Sequence, residues 1–320
     1  VAEFLEWVRT QLITQVSPFL PHGGDCDMVD FPHHLNCGDS AIWLGVQRLA
    51  AQRSVTVRST TTASSYRPDR LRASGPIVIN GGGNLGGLYP VHDDLRRQVI
   101  HDFPDRPIVQ MPQSVQIADR TRLEDLKRAI GAHRDVTLLV RDRRSLAIAE
   151  REFDCRTLLA PDAAFALGAL VRRPPRTELV VQARRDGEAA SGQLADIPTV
   201  DWTQAPMVST RNLGWSLANV AGKSGRPRPS RAAMTWFARR NLDHAVDILS
   251  QGRRLVTDRL HGHVIAVLCG IPHTVINDRH GKIEELWHAW TRRAPNVTFM
   301  PTWSAWRASQ SAPTVRRSTG

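Results

Sequence analysis

Apolar and β-branched runs of three or four residues alternate along much of this chain with longer stretches whose apolar side chains recur at helical spacing. Val55-Thr56-Val57, Ile77-Val78-Ile79, Ile108-Val109-Gln110-Met111 and Thr137-Leu138-Leu139-Val140 read as strands. Residues 39–52, 92–102, 121–132 and 144–152 read as the helices around them. Strand and helix in alternation predict right-handed βαβ units around a parallel sheet, so the expected fold class is α/β. A second series, Leu179-Val180-Val181-Gln182, Leu255-Val256-Thr257 and Thr274-Val275-Ile276 with an amphipathic helix near 231–250, follows the segment Arg172-Arg173-Pro174-Pro175-Arg176. That segment reads as a linker. The expected organisation is an amphipathic helix (4–16) and a Pro/Gly/His/Asp connector (18–30) within residues 1–30, a first unit over 31–171 and a second over 177–300. Residues 184–230, rich in Gly, Ser, Arg and Pro, are expected to be partly irregular, and the Ser/Thr/Arg-rich stretch 309–320 to be disordered.

At 320 residues the chain is about twice a typical domain length, which suits two units with a cleft between them. No apolar run reaches the roughly 18 residues that span a bilayer. The best, residues 264–276, is interrupted by Gly270, Pro272 and His273. A soluble protein is expected. Four cysteines without CxxC spacing, and an N-terminus lacking a basic region followed by an apolar one, suit a reducing cytoplasm. The formal charge is +11, and only Lys127, Lys223 and Lys282 are lysine among 42 basic residues. Aromatics are not regularly interleaved with the arginines, so nucleic acid is not indicated; a small anionic substrate or an anionic membrane surface is compatible.

Four segments carry candidate chemistry. Asn36-Cys37-Gly38-Asp39-Ser40 opens a helix, where it caps the free N–H groups or presents them to a ligand. Ile79-Asn80-Gly81-Gly82-Gly83-Asn84 runs from a strand into three glycines, as a tight turn or as a main chain that a ligand approaches closely; it is neither GxGxxG nor a Walker loop. Arg141 closes a strand, in a salt bridge or as a fork for carboxylate or phosphate. Thr257-Asp258-Arg259-Leu260-His261-Gly262-His263 joins a strand to an apolar helix and sets fixed positive charge beside a titratable imidazole at a helix N-terminus. Such a set binds an anion and moves a proton. Core or capping histidines are the alternative, and a zinc site lacks a suitably spaced third ligand.

In this order these segments, with Gly81-Gly82-Gly83-Asn84-Leu85-Gly86-Gly87-Leu88-Tyr89-Pro90, Pro112-Gln113-Ser114, Pro161-Asp162, Arg185-Asp186 with Glu188, and Gly270-Ile271-Pro272, resemble the polysaccharide pyruvyl transferase family over about residues 30–290. Gly87 departs from the pattern, since the family commonly has Asp there. The resemblance implies two Rossmann-like domains facing a cleft, glycosyltransferase-B-like, the first on the acceptor side and the second on the donor side. It implies transfer of the enolpyruvyl-derived unit of phosphoenolpyruvate onto two sugar hydroxyls as a pyruvate ketal. The acceptor would belong to a polysaccharide or lipid-linked oligosaccharide. Donor contacts carried over by motif fall on Arg141, Arg259, Leu260 and His261. His261 is the candidate acid–base group and Asp39 the group that orients or deprotonates a sugar hydroxyl; Asn36, Gly38, Asp39, Gly82, Gly83 and Asn84 form the acceptor side. No cofactor is required, although a divalent cation could assist. The expected place is the cytoplasm, where contact with the inner membrane face is compatible. A sugar-nucleotide-dependent glycosyltransferase of the same architecture and a non-enzymatic polyanion-binding protein are the competing readings.

Overall fold

The computed structural model describes residues 1–185, 194, 197–203, 216–217, 220 and 227–311. Asp186, Glu188, most of 184–230 and residues 312–320 lie outside them. The first half contains α1 (Ala2–Val16), β1 (Asp25–Val29), α2 (Cys37–Gln52), β2 (Thr56–Thr60), β3 (Ile77–Ile79), β4 (Gly82–Leu85), α3 (Pro90–Asp102), β5 (Ile108–Val115), α4 (Arg120–Gly131), β6 (Val136–Val140), α5 (Arg143–Glu152) and β7 (Arg156–Leu159). Its strands pair in the order β2-β1-β3-β5-β6-β7, and the glycine-rich β4 lies beside the far end of β5. Every pairing in this sheet is parallel. β5 and β6 are buried along their whole length, as a sheet covered on both faces requires.

The second half contains β8 (Thr177–Gln182), α6 (Pro227–Leu249), β9 (Gly252–Thr257), α7 (Leu260–Leu268), β10 (His273–Ile276), α8 (Lys282–Ala289), β11 (Val297–Met300) and α9 (Trp303–Ser311). Its parallel sheet runs β11-β10-β9-β8. Among the described residues no helix is long and apolar enough to cross a membrane.

The stretch expected as a connector holds β1, which pairs with both β2 and β3 and so extends the first sheet back before residue 31. Two carboxylates, Asp25 and Asp27, disguise it as a loop. Asp27 is fully buried yet satisfied by Ser59 Oγ (2.6 Å), the Ala73 N–H (2.9 Å) and Arg106 Nη2 (3.0 Å). At the other end, residues 309–311 belong to α9 rather than to a disordered tail.

One apolar cluster joins the halves. It includes Leu12 of α1, Trp43 of α2, Phe237 of α6, Val264 of α7 and Leu286 of α8. Polar bonds cross the same junction: Gln47 Nε2 to Thr235 Oγ1 (2.9 Å), Asn241 Nδ2 to Ser40 Oγ (3.0 Å) and Trp290 Nε1 to the Arg141 carbonyl (2.9 Å). A second cluster lies under α3, α4 and α5, and a third is closed by Trp303 and Trp306.

Candidate functional site

The carboxyl ends of β6 and β9 and the N-termini of α2 and α7 border a cavity of about 290 Å³. Parallel strands all point their C-terminal ends to one edge, and helices starting there aim N–H groups into the same space. Of the residues singled out from the sequence, Asn36, Asp39, Gly83, Asn84, Arg141, Arg259, Leu260 and His261 line this one cavity. Gly38 and Gly82 do not.

Arg141 is 2% exposed, and its Nη1 and Nε are committed to Asp162 Oδ2 (2.7 Å) and Ser114 Oγ (2.9 Å). Its Nη2 has no hydrogen-bond partner among the described residues and faces Gly83, where a β-carbon would stand 3.1 Å away. One edge of Arg141 therefore makes a salt bridge, while the other meets the cavity. Arg259 is built in a similar way from the other sheet. It occupies the N-cap position of α7 without a side-chain capping bond, donates from Nη2 to the buried Asp201 (2.7 Å) and lies over the Trp202 ring, 5.7 Å from its centroid. Trp202 is buried and also lines the cavity.

His261 Nε2 lies 3.2 Å from Asp162 Oδ2, the oxygen that also receives Arg141. Burial opposes ionisation of Asp162. The adjoining His261, Arg141 and the Ala164 N–H outweigh it and hold this carboxyl well below the usual range. Gly38 explains itself against this ring: a β-carbon there would fall 2.3 Å from His261 Nδ1. Asn36 caps α2 by accepting from the Gly38 N–H (3.3 Å) and donates to Asp39 Oδ2 (2.8 Å). Capping and cavity-lining thus coincide in that turn. Asn84 Oδ1 accepts from Arg96 Nη2 (2.5 Å) and Gln113 Nε2 (2.7 Å), which fixes the amide at the cavity wall.

His263, two residues from His261, is fully buried and belongs elsewhere. The Ile271 carbonyl only accepts, so His273 Nδ1 donates to it (2.7 Å). His273 Nε2 then accepts from His263 Nδ1 (2.7 Å), and His263 Nε2 accepts from the Thr291 hydroxyl (2.7 Å). Burial lowers both histidines, His273 to about 4. The unfolded chain binds more protons between about pH 6.5 and 4, so stability is complete above about pH 6.5 and falls as acid is added. We expect the melting temperature to drop between pH 7.5 and 5, and the drop to shrink in a folded His273→Gln variant. An unchanged pH dependence in that variant would contradict this assignment.

Gly87 has φ +97°, and a β-carbon there would come within 2.8 Å of the Asp119 backbone nitrogen. An aspartate cannot be placed without moving that backbone. Asp93 of α3 lies against this turn: its Oδ2 accepts the Gly87 N–H at 2.6 Å, while Oδ1 pairs with Arg96 at 3.1 Å.

Sequence reasoning missed several cavity residues. His92 is held by both oxygens of Asp30 (2.8 and 2.9 Å), a buried residue whose φ of +66° turns the chain at the end of β1. Lys282, one of three lysines, opens α8 at the cavity. Asp162 and Asp201 stand behind the two arginines. Lys282 carried a signal in its rarity and Asp162 in the segment Pro161-Asp162; His92 and Asp201 depend on contacts between segments far apart in the chain. Cavity-lining Arg141, Arg184, Arg259 and Lys282 outnumber the acidic Asp39 and Asp278, so the site favours an anion. Among the described residues no group of three His, Cys, Asp or Glu side chains is arranged to hold a metal ion.

A family model described as polysaccharide pyruvyl transferase matches residues 36–280. Pyruvyl transferase 1 of Schizosaccharomyces pombe is 30% identical over 82% of this chain and 69% of its own length. EpsO of Bacillus subtilis, provisionally named a pyruvyl transferase, is 26% identical over 91% of this chain and 92% of its own. An uncharacterized protein of Klebsiella pneumoniae shares the fold, with a TM-score of 0.61 and 17% identity over 92% of this chain and 99% of that one.

Proposed function

Because the chain belongs to the polysaccharide pyruvyl transferase family, and is thereby a transferase of polysaccharide biosynthesis, we propose that it takes its pyruvyl unit from phosphoenolpyruvate and places it on two hydroxyls of one sugar as a cyclic ketal. The observation that carries this reading is the pairing of Arg141 and Arg259, buried arginines from the ends of two different sheets, on one cavity that His261 also lines. Phosphoenolpyruvate presents a carboxylate and a phosphate on one small frame. A guanidinium suits each, through charge-assisted hydrogen bonds whose geometry a lysine does not reproduce.

A proton goes to the methylene carbon C3, whose π pair with C2 becomes the new C–H bond, and C2 becomes oxocarbenium-like. One sugar oxygen bonds to C2 and its proton passes to the base that supplied the first. The C2–O bond to phosphate then breaks, the second sugar oxygen closes the ring, and its proton leaves with the phosphate. His261 is the group that gives and takes back the proton. Arg141, Arg259 and the N-terminus of α7 stabilise charge on the departing phosphate. Asp39 and Asn84 border the acceptor side, with the two sheets acting as acceptor and donor halves of one cleft, and the reaction takes place in the cytoplasm.

The test is incubation of the protein with phosphoenolpyruvate and a panel of galactosides, glucosides and mannosides, following released phosphate and glycan mass. Stoichiometric phosphate and an acid-labile pyruvyl adduct are expected. Consumption of a nucleotide sugar instead, with no phosphate released from phosphoenolpyruvate, would refute the reading.

A further inference from the structure

We propose that Asp162 is a positioning residue for this reaction, one that keeps a proton on His261 Nε2 and makes Nδ1 the nitrogen that meets the substrate. The chemical step rests on the function proposed above; the place of the proton rests on geometry.

Asp162 is fully buried in the turn after β7, where three donors converge on it. Oδ1 accepts the Ala164 N–H at 2.9 Å. Oδ2 accepts Arg141 Nη1 at 2.7 Å and faces His261 Nε2 at 3.2 Å. An ionised carboxylate has no proton to offer, so Nε2 must supply the hydrogen of that contact. The opposite edge of the ring is different. Nδ1 has no hydrogen-bond partner among the described residues, and the ring lines the cavity. Its space is kept by Gly38, where any side chain would run into Nδ1 and Cγ. In the neutral ring the lone pair is therefore on Nδ1, beside the turn that carries Asn36 and Asp39.

Both proton transfers then use one atom. Protonated Nδ1 gives its hydrogen to C3, and the same nitrogen takes one back from the hydroxyl whose oxygen bonds to C2. Nε2–H stays on Asp162 throughout, so His261 ends as it began. Asp162 also offsets the charge of Arg141, and this separates a positioning role from a merely structural one. Removing its charge leaves Arg141 a stronger attractor for the anionic donor while His261 loses the partner that orients it.

The decisive variant is Asp162→Asn, which removes the charge and leaves one acceptor oxygen and an NH2 where three donors converge, so that the hold on His261 Nε2–H is lost or weakened. A loss in kcat on the order of 10² to 10⁴ is expected, with the dissociation constant of phosphoenolpyruvate unchanged or lower by calorimetry. A fall of kcat and donor affinity together, or an unchanged kcat, would overturn the proposal. Nitrogen-15 NMR of wild-type protein, with His261 assigned by its loss in His261→Gln, needs no variant of Asp162. A protonated Nε2 and an unprotonated Nδ1 are expected in the neutral ring, and the opposite tautomer would overturn the proposal even if Asp162→Asn failed to fold. Wild type that binds no phosphoenolpyruvate would remove the reaction itself, whereas the tautomer stands or falls on the spectra alone.

Discussion

His261→Ala should lower kcat by a factor on the order of 10² to 10⁴ while changing donor affinity by less than about tenfold, the pattern of a lost acid–base group. The ring lines the cavity and is wedged between Asp162 and Gly38, so it is held for proton transfer more than for gripping the donor. His263→Ala is the internal control. That side chain lies in a separate chain of bonds with His273 and Thr291, so its loss should lower the melting temperature and leave kcat of the folded fraction nearly intact. Steady-state kinetics and thermal denaturation of both variants decide the matter. Equal, modest kinetic losses in the two would count against His261.

Arg259→Lys should weaken phosphoenolpyruvate binding by roughly ten- to a hundredfold, the range that a lost charge-assisted hydrogen bond of about 1.5–3 kcal/mol implies. The lysine keeps the charge but cannot hold Asp201 with one nitrogen, lie flat over Trp202 and present further donors to the cavity. Arg141→Ala is the harsher change. It leaves the buried Asp162 with His261 and the Ala164 N–H alone, and breaking a buried pair in this way costs about 3–5 kcal/mol of stability. Calorimetric titration should therefore be read on Arg259→Lys and unfolding on Arg141→Ala. Donor affinity unchanged in Arg259→Lys would remove the two-arginine clamp.

The strands that carry the site were legible because a parallel sheet buried on both faces writes itself as uninterrupted apolar runs: Ile77–Ile79 and Val136–Val140 lie within a residue of where the pattern put them. β1 was not, since its buried carboxylate is satisfied by groups from residues 59, 72, 73 and 106, which no local window contains. β4 escaped because glycines have no side-chain alternation to read. The same division runs through the site. Arg141, Arg259 and His261 each sit at the end of a strand or the start of a helix, so local pattern found them. Asp201 and the Asp30–His92 pair are placed only by partners distant in sequence, and Asp162, though quoted within Pro161-Asp162, shows its role only through Arg141 and His261. Gly87 adds a constraint that no local pattern shows: its positive φ and the nearness of the Asp119 backbone leave no room for a β-carbon.

The apolar cluster that runs from α1 and α2 into α6, α7 and α8 has a consequence for how this protein is made. On the ribosome, α2 emerges long before α6, so the part of its buried face that α6 covers, beside Ser40 and Gln47, stays bare until the later helix leaves the exit tunnel. The first sheet can pair its strands during synthesis and cover the rest of α2, yet the nascent chain carries that strip bare until α6 follows. Emergence of α6, rather than completion of the first sheet, is the event that ends the exposure of this strip to aggregation.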